Sequence, residues 1–284
     1  MSSETVHVRT EVEDAVGAIT IARRDRFNSL DVRTARDFRK AGLGFARDEA
    51  VRCVVIRGEG GVFCSGADLK YVREKGERAD LDYLLPEGAR DGGGEGYGGE
   101  FKQILEYLHS AISEIKRAPK PFVAAVDGPA AAGGFGIAMA CDLVFASESA
   151  WFEWAYHKTG LTGAESSTFF LPRLVGLRKA LEIVMLNPRM SAAEAVEAGL
   201  VNAVFDDEAF DEEVAAIARR LAAGPTKAYG VAKGLIHHAA DVGKLDLHLD
   251  EELRSLARIA DGADFAEGIA SFFEKRPPRF TGRE

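Results

Sequence analysis

The chain has 284 residues, long enough for one large domain, or a domain with an appendage, built on a substantial core. Hydrophobic residues make up 46% and charged residues 29%, which excludes wholesale disorder, a collagen-like chain and a coiled-coil rod. A net charge of −9 without a basic patch argues against nucleic acid as a partner, and no apolar run reaches the 18 residues of a membrane span.

Met1 to His7 has neither the basic start nor the apolar stretch of a secretory signal, so a cytoplasmic protein is expected. Val6, Val8 and Val12, then Val16 to Ile21, read as two strands joined near Glu13-Asp14. Residues 31–48 read as an amphipathic helix, and Val51 to Arg57 as a short buried strand. A glycine-rich insertion occupies about 76–100. Its stretch 88–99 holds seven glycines in twelve residues, which reads as a floppy surface segment or a mobile lid. A helix follows over 101–116, with Phe101, Ile104, Leu105, Leu108, Ile112 and Ile115 at helical spacing. Phe122 to Asp127 reads as strand, Ile137 to Met139 as helix and Leu143 to Ala146 as strand. The alternation runs to about residue 205 and predicts an α/β core over 1–205. The remainder, 206–284, reads as helices at 208–223, 225–239, 244–260 and 263–274. Ten apolar residues from Leu245 to Phe273 exceed what a terminal tail buries alone, which predicts packing on a second copy.

Cys53, Cys64 and Cys141 are odd in number and embedded in apolar sequence, as buried free thiols are. No Cys or His spacing suggests a metal site. Two turns rich in small residues follow buried strands, Gly60 to Lys70 and Asp127 to Gly136. Neither is a dinucleotide fingerprint or a phosphate loop. Both leave backbone N–H groups bare at a helix start, where a ligand oxygen can approach. Two such turns can supply two donors to one oxyanion, or can be no more than tight packing.

Phe63-Cys64-Ser65-Gly66-Ala67-Asp68-Leu69 resembles the Phe-x-x-Gly-Ala-Asp signature of the crotonase superfamily, the enoyl-CoA hydratase/isomerase family. So do Asn28-Ser29-Leu30, Pro119 to Gly128, Ala132 to Asp142, Leu171 to Gly176 and Ala192 to Asn202, in order along the chain. The resemblance implies a spiral of ββα turns followed by a helical trimerisation region, in a homotrimer or dimer of trimers. It implies a coenzyme A thioester as substrate and no permanently bound cofactor. It also implies an oxyanion hole at the N–H groups of Ala67 and Gly133, with Asp68, Leu69, Phe272 and Lys275 at CoA-binding positions.

Typical hydratases of this family use two glutamates, and both positions differ here. Gly136 stands at the first and Tyr156 at the second. A third carboxylate position, used by the 4-chlorobenzoyl-CoA dehalogenase and dienoyl-CoA isomerase branches, falls on Ala164, with Glu165 beside it. The aromatic segment around Trp154 and Tyr156 is similar to the dehalogenase branch, whose helix histidine matches His109. Glu165, His109 and Tyr156 are therefore the candidate catalytic residues. The competing readings are a helix cap for Glu165, a structural histidine at 109 and simple packing for Tyr156. The expected function is an atypical enzyme that stabilises a thioester-conjugated anion and adds water or shifts a proton. The alternatives are an aroyl-CoA dehalogenase or cyclic acyl-CoA hydrolase using Glu165 and His109, and a non-catalytic CoA-ester-binding protein.

Overall fold

The computed structural model describes residues 6–76 and 97–281. The glycine-rich insertion expected at about 76–100 lies outside these residues except at its ends.

Strands β1 (Val8–Glu13) and β2 (Val16–Ile21) form the expected hairpin, with Val12 opposite Gly17. Asp14 and Ala15 both take positive φ, 48° and 63°, as a two-residue turn matched to strand twist requires. Strand β3 (Cys53–Gly58) adds parallel to β2. Strand β4 (Phe122–Val126), β6 (Leu143–Ser147) and β9 (Ala203–Phe205) continue in parallel, giving the order β1-β2-β3-β4-β6-β9. A smaller sheet holds β5 (Pro129–Ala131), β7 (Trp151–Glu153) and β8 (Met190–Ser191) in the order β5-β7-β8. Both faces of β4 are buried, which explains why it reads as an unbroken apolar run rather than an alternation.

Eleven helices lie among the described residues. Helix α1 (Val32–Arg47) starts at Asp31, whose carboxylate accepts the Thr34 N–H at 2.7 Å. Then come α2 (Leu69–Arg73), α3 (Gly98–Arg117) and α4 (Gly133–Ala140). Helix α3 begins three residues before the expected helix and buries all six of the apolar residues that announced it. Helices α5 (Ser167–Val175), α6 (Leu177–Leu186) and α7 (Ala192–Glu197) follow. The chain ends in α8 (Phe210–Ala223), α9 (Thr226–Ala239), α10 (Leu245–Ala260) and α11 (Ala263–Glu274).

The winding is the expected spiral. One turn gives β4 to the large sheet, β5 to the small one and then α4. The next gives β6, β7 and, after a turn at Tyr156–Thr159, α5. Single parallel bridges, Leu30 to Ala67 and Cys64 to Ala130, tie the first turn to its neighbours. All three cysteines are buried and unpaired, and burial pushes each thiol up to about 12, so they act as small hydrophobes.

The C-terminal helices dock on the core: α10 packs along α3, and α11 against the 156–159 turn. This corrects the argument drawn from the apolar residues of 244–280. Leu245, Leu249, Leu256, Phe265 and Ile269 are buried within the chain itself. The large exposed apolar side chains lie mainly elsewhere, with Leu177, Leu181, Met185 and Leu186 on α6 and Val231, Leu235 and Ile236 on α9. No described helix is long and apolar enough to cross a membrane.

Candidate active site

The two small-residue turns meet. The Leu30 N–H donates to the Gly66 carbonyl at 2.8 Å and the Leu30 carbonyl accepts from Asp68 N–H at 2.9 Å. In a parallel bridge this pattern turns the Ala67 N–H away from Leu30. Gly66 has φ +90°, and a Cβ there would lie 2.7 Å from the Ala132 Cβ and 3.0 Å from the Gly133 nitrogen. Only glycine lets the two turns approach so closely. Gly133 is the first residue of α4, so its N–H has no partner in its own helix. The N–H groups of Ala67 and Gly133 find no acceptor among the described residues.

A cavity of about 540 Å³ opens in front of these turns. Ala67, Ala132, Tyr156, Ala164 and Glu165 line it, with Phe101, Trp151, Leu161, Leu256, Phe272 and Phe273 as apolar wall. Glu165 reaches it through an uncommon backbone. Both Glu165 (φ 50°) and Ser166 (φ 60°) are left-handed, a state that costs an L-residue about 1 kcal/mol or more. The result puts the Glu165 carboxyl against the start of α4. A Cβ on Gly133 would come 3.2 Å from Glu165 Oε1, and one on Gly136 only 2.7 Å from Glu165 Cβ. The space at Gly136 is thus taken by Glu165, arriving from another segment.

The Tyr156 hydroxyl donates a short hydrogen bond to Glu165 Oε2. Both side chains are buried. Burial pushes the Glu165 carboxyl up to about 8; the Tyr156 bond opposes the rise and the charge of Glu252 adds to it. Burial, then the nearby Glu165 charge and its hydrogen bond, hold the Tyr156 phenol well above its ordinary range, so it stays a neutral donor.

The other candidates are placed as follows. His109 is buried on α3 but is not among the cavity-lining residues; its Nε2 lies 3.1 Å from Glu252 Oε2, off the line of a good hydrogen bond. Leu69 and the half-exposed Phe272 line the cavity. Asp68 lines it too, but its carboxylate caps α2 and binds Arg23 and Arg26 at 3.0 and 2.9 Å. Lys275 ends α11 in a left-handed conformation, off the cavity wall. Sequence reasoning did not find the cationic rim, Arg26, Lys70, Lys158 and Arg189. Nor did it find Glu252, although Glu252 stands on the apolar stripe of α10, three residues after Leu249 and four before Leu256, where a charge is out of place. Among the described residues no three His, Cys, Asp or Glu side chains gather as metal ligands.

Comparison with known proteins matches residues 11–86 and 94–283 to the family model described as enoyl-CoA hydratase/isomerase. A 4-chlorobenzoyl coenzyme A dehalogenase of Arthrobacter is 32% identical over 274 residues, 96% of this chain and 93% of that protein. The 1,2-epoxyphenylacetyl-CoA isomerase of Escherichia coli is 32% identical over 279 residues, 97% and 98% of the two chains. Among solved structures, an enoyl-CoA hydratase from Mycobacterium avium subsp. paratuberculosis superposes with a TM-score of 0.83 at 31% identity, covering 98% of this chain and 100% of its own.

Proposed function

The chain belongs to the enoyl-CoA hydratase/isomerase family of enzymes acting on CoA esters, and from that premise we propose that it is an isomerase moving a proton along the acyl chain with Glu165 as the single proton carrier. The carrying observation is one buried carboxyl, raised to about 8 and gripped by Tyr156, beside two unpartnered backbone N–H groups.

In the proposed cycle the thioester oxygen rests on the Ala67 and Gly133 N–H groups. Ionised Glu165 takes the proton from the α carbon of a 3-enoyl-CoA. The C–H electron pair passes into the conjugated system and places charge on the thioester oxygen, where fixed donors contribute several kcal/mol. The γ carbon then takes the proton back from the Glu165 carboxyl, giving the 2-enoyl ester. A carboxyl near 8 suits both steps, because it is neither too weak a base nor too weak an acid at neutral pH. Tyr156 keeps the carboxyl aimed in each protonation state.

Addition of water by paired carboxylates calls for a second one free in the cavity. Asp68 is held by its two arginines, Glu153 is bound by Lys158 at 2.5 Å and Asn187 at 2.6 Å, and Asp25 stands on the exposed rim. Dehalogenation with His109 activating water has less support, since His109 faces Glu252 and not the cavity wall. An idle binding protein has no need of a strained turn carrying a destabilised carboxyl. The aromatic wall favours an aromatic or alicyclic acyl group, and the two relatives above are named for 4-chlorobenzoyl-CoA and 1,2-epoxyphenylacetyl-CoA, esters with a six-membered carbon ring. Phe272 and Leu69 are read as covering the CoA. The apolar faces of α6 and α9 suit a homotrimer or a dimer of trimers.

The test is 5-phenyl-3-pentenoyl-CoA incubated in ¹⁸O-labelled water. The proposal expects the 2-enoyl isomer with no heavy oxygen. Label in the acyl product would mean hydration or hydrolysis and overturn it.

A further inference from the structure

Glu252 lies 84 or more residues from everything it touches outside its own helix, yet it joins the site at the strained turn. The Glu165–Ser166 turn has two consecutive left-handed residues, and Ser166 opens α5 without a side-chain cap of its own. The Ser166 N–H instead donates to Glu252 Oε2 at 2.9 Å, and the Thr168 hydroxyl donates to Oε1 at 2.6 Å. A carboxylate from α10 therefore anchors both the backbone of the strained turn and a side chain in the first turn of α5. The side chain is 2% exposed, so an unpaired charge there is costly. Burial alone pushes this carboxyl up, but His109, Thr168 and the Ser166 N–H outweigh it and hold it below its ordinary range. It is an anion wherever Glu165 titrates.

We infer that Glu252 is a positioning residue for Glu165: it holds the turn that carries the carboxyl and keeps a fixed negative charge behind it, with His109 as its counter-group. The inference rests on the reading of Glu165 as proton carrier.

The groups around the pair are few. His109 faces Glu252 from α3 at 3.1 Å. On α10 itself, His248 Nε2 is 3.9 Å away and reaches the Thr168 hydroxyl at 2.7 Å. Arg173, on α5, acts on His248, and burial holds His248 below its ordinary range. On the cavity side Glu165 meets the neutral Tyr156 phenol, with the neutral Cys64 thiol also near. Glu252 is thus the one anion acting on Glu165 among the described residues. Its charge raises the proton affinity of Glu165, which makes the ionised carboxyl a stronger base at the α carbon and sets the pH at which it becomes active.

The test follows isomerisation of 5-phenyl-3-pentenoyl-CoA against pH in four proteins: the unaltered enzyme, Glu165→Gln, Glu252→Gln and Glu252→Ala. Glu252→Gln keeps the shape and an acceptor for Ser166 but removes the charge, so the midpoint of the rising limb should move down by roughly one pH unit. Glu252→Ala frees the turn and should lower kcat by on the order of 10²-fold, with little change in the dissociation constant of the ester. Glu165→Gln should be inactive. An unmoved midpoint in Glu252→Gln, with Glu165→Gln inactive, would overturn the role of Glu252 and leave that of Glu165 standing. An active Glu165→Gln would overturn both. If Glu252→Ala does not fold, the Glu252→Gln midpoint alone decides, because a purely structural carboxylate would not move it.

Discussion

Gly136→Ala adds one methyl group where the site has no room for it. The new Cβ would lie 2.7 Å from Glu165 Cβ and 2.8 Å from the Glu165 carbonyl oxygen, with the Ala164 carbonyl oxygen 3.2 Å away. Carbon–carbon contact is comfortable at about 3.5–4.0 Å. The shortfall is about 1 Å, and the atoms in the way belong to Glu165 and the residue before it. Helix α4 is buried along its whole length and cannot retreat. The strained turn must give, and the carboxyl moves with it. A displacement of about 1 Å at a reacting group costs on the order of 10²-fold in rate. Overpacking costs about 1–3 kcal/mol, a fall of several degrees in Tm. The assay is kcat for 3-enoyl-CoA isomerisation, beside the dissociation constant of a non-reacting CoA ester and a thermal melt. Turnover should fall about a hundredfold while ester binding changes little. A folded Gly136→Ala enzyme with unaltered kcat would refute the assignment of that space to a working Glu165.

Gly133→Pro removes one oxyanion donor and should lower turnover by on the order of 10²–10³-fold, measured on protein whose circular dichroism is unchanged. Activity should rise with pH through about 8, as Glu165 ionises, and a profile flat from pH 6 to 9 would contradict that base. Glu165 also links stability to pH. Its carboxyl is raised in the fold from 4.5 to about 8, so the stability it contributes is present below pH 4.5 and is lost as pH rises through 8. Glu165→Gln cannot ionise, so its Tm should gain on that of the unaltered protein between pH 5 and 9; a constant difference would refute the buried carboxyl. His109→Gln should cost less than Glu165→Gln, because the histidine acts through Glu252. Sedimentation should show an assembly of three or six chains, and a stable monomer of 30.6 kDa at micromolar concentration would refute it.

Much of this was legible because local chemistry and final geometry agree. The α3 stripe, the runs of β3 and β4 and the two small-residue turns each announce one structure. Glu165 stands one residue past the position that the resemblance marks, and what the sequence does not announce is the left-handed Glu165–Ser166 pair at the cavity wall. Strands β5, β7 and β8, of two or three residues, were not legible, since so short a run carries no period. The partner of His109 was not legible either: helical spacing placed it at the edge of a buried face but could not name a carboxylate 143 residues away. The C-terminal apolar residues misled because composition does not say which surface a helix meets. Leu245, Leu249, Leu256, Phe265 and Ile269 are buried within the same chain, where α10 meets α3 and α11 meets the 156–159 turn, whereas Leu247 and Phe272 stay exposed.

The central claim is that Glu165 carries a proton at the α carbon of a CoA ester. Phenylacetyl-CoA in D₂O tests it without need of the natural substrate, because its α protons are acidic and its ring suits the aromatic wall. Mass spectrometry should show the enzyme washing deuterium into the α position, Gly133→Pro much more slowly, and Glu165→Gln no faster than buffer. Deuterium entering at the full rate in Glu165→Gln, or not entering at all with the unaltered enzyme, would contradict the account.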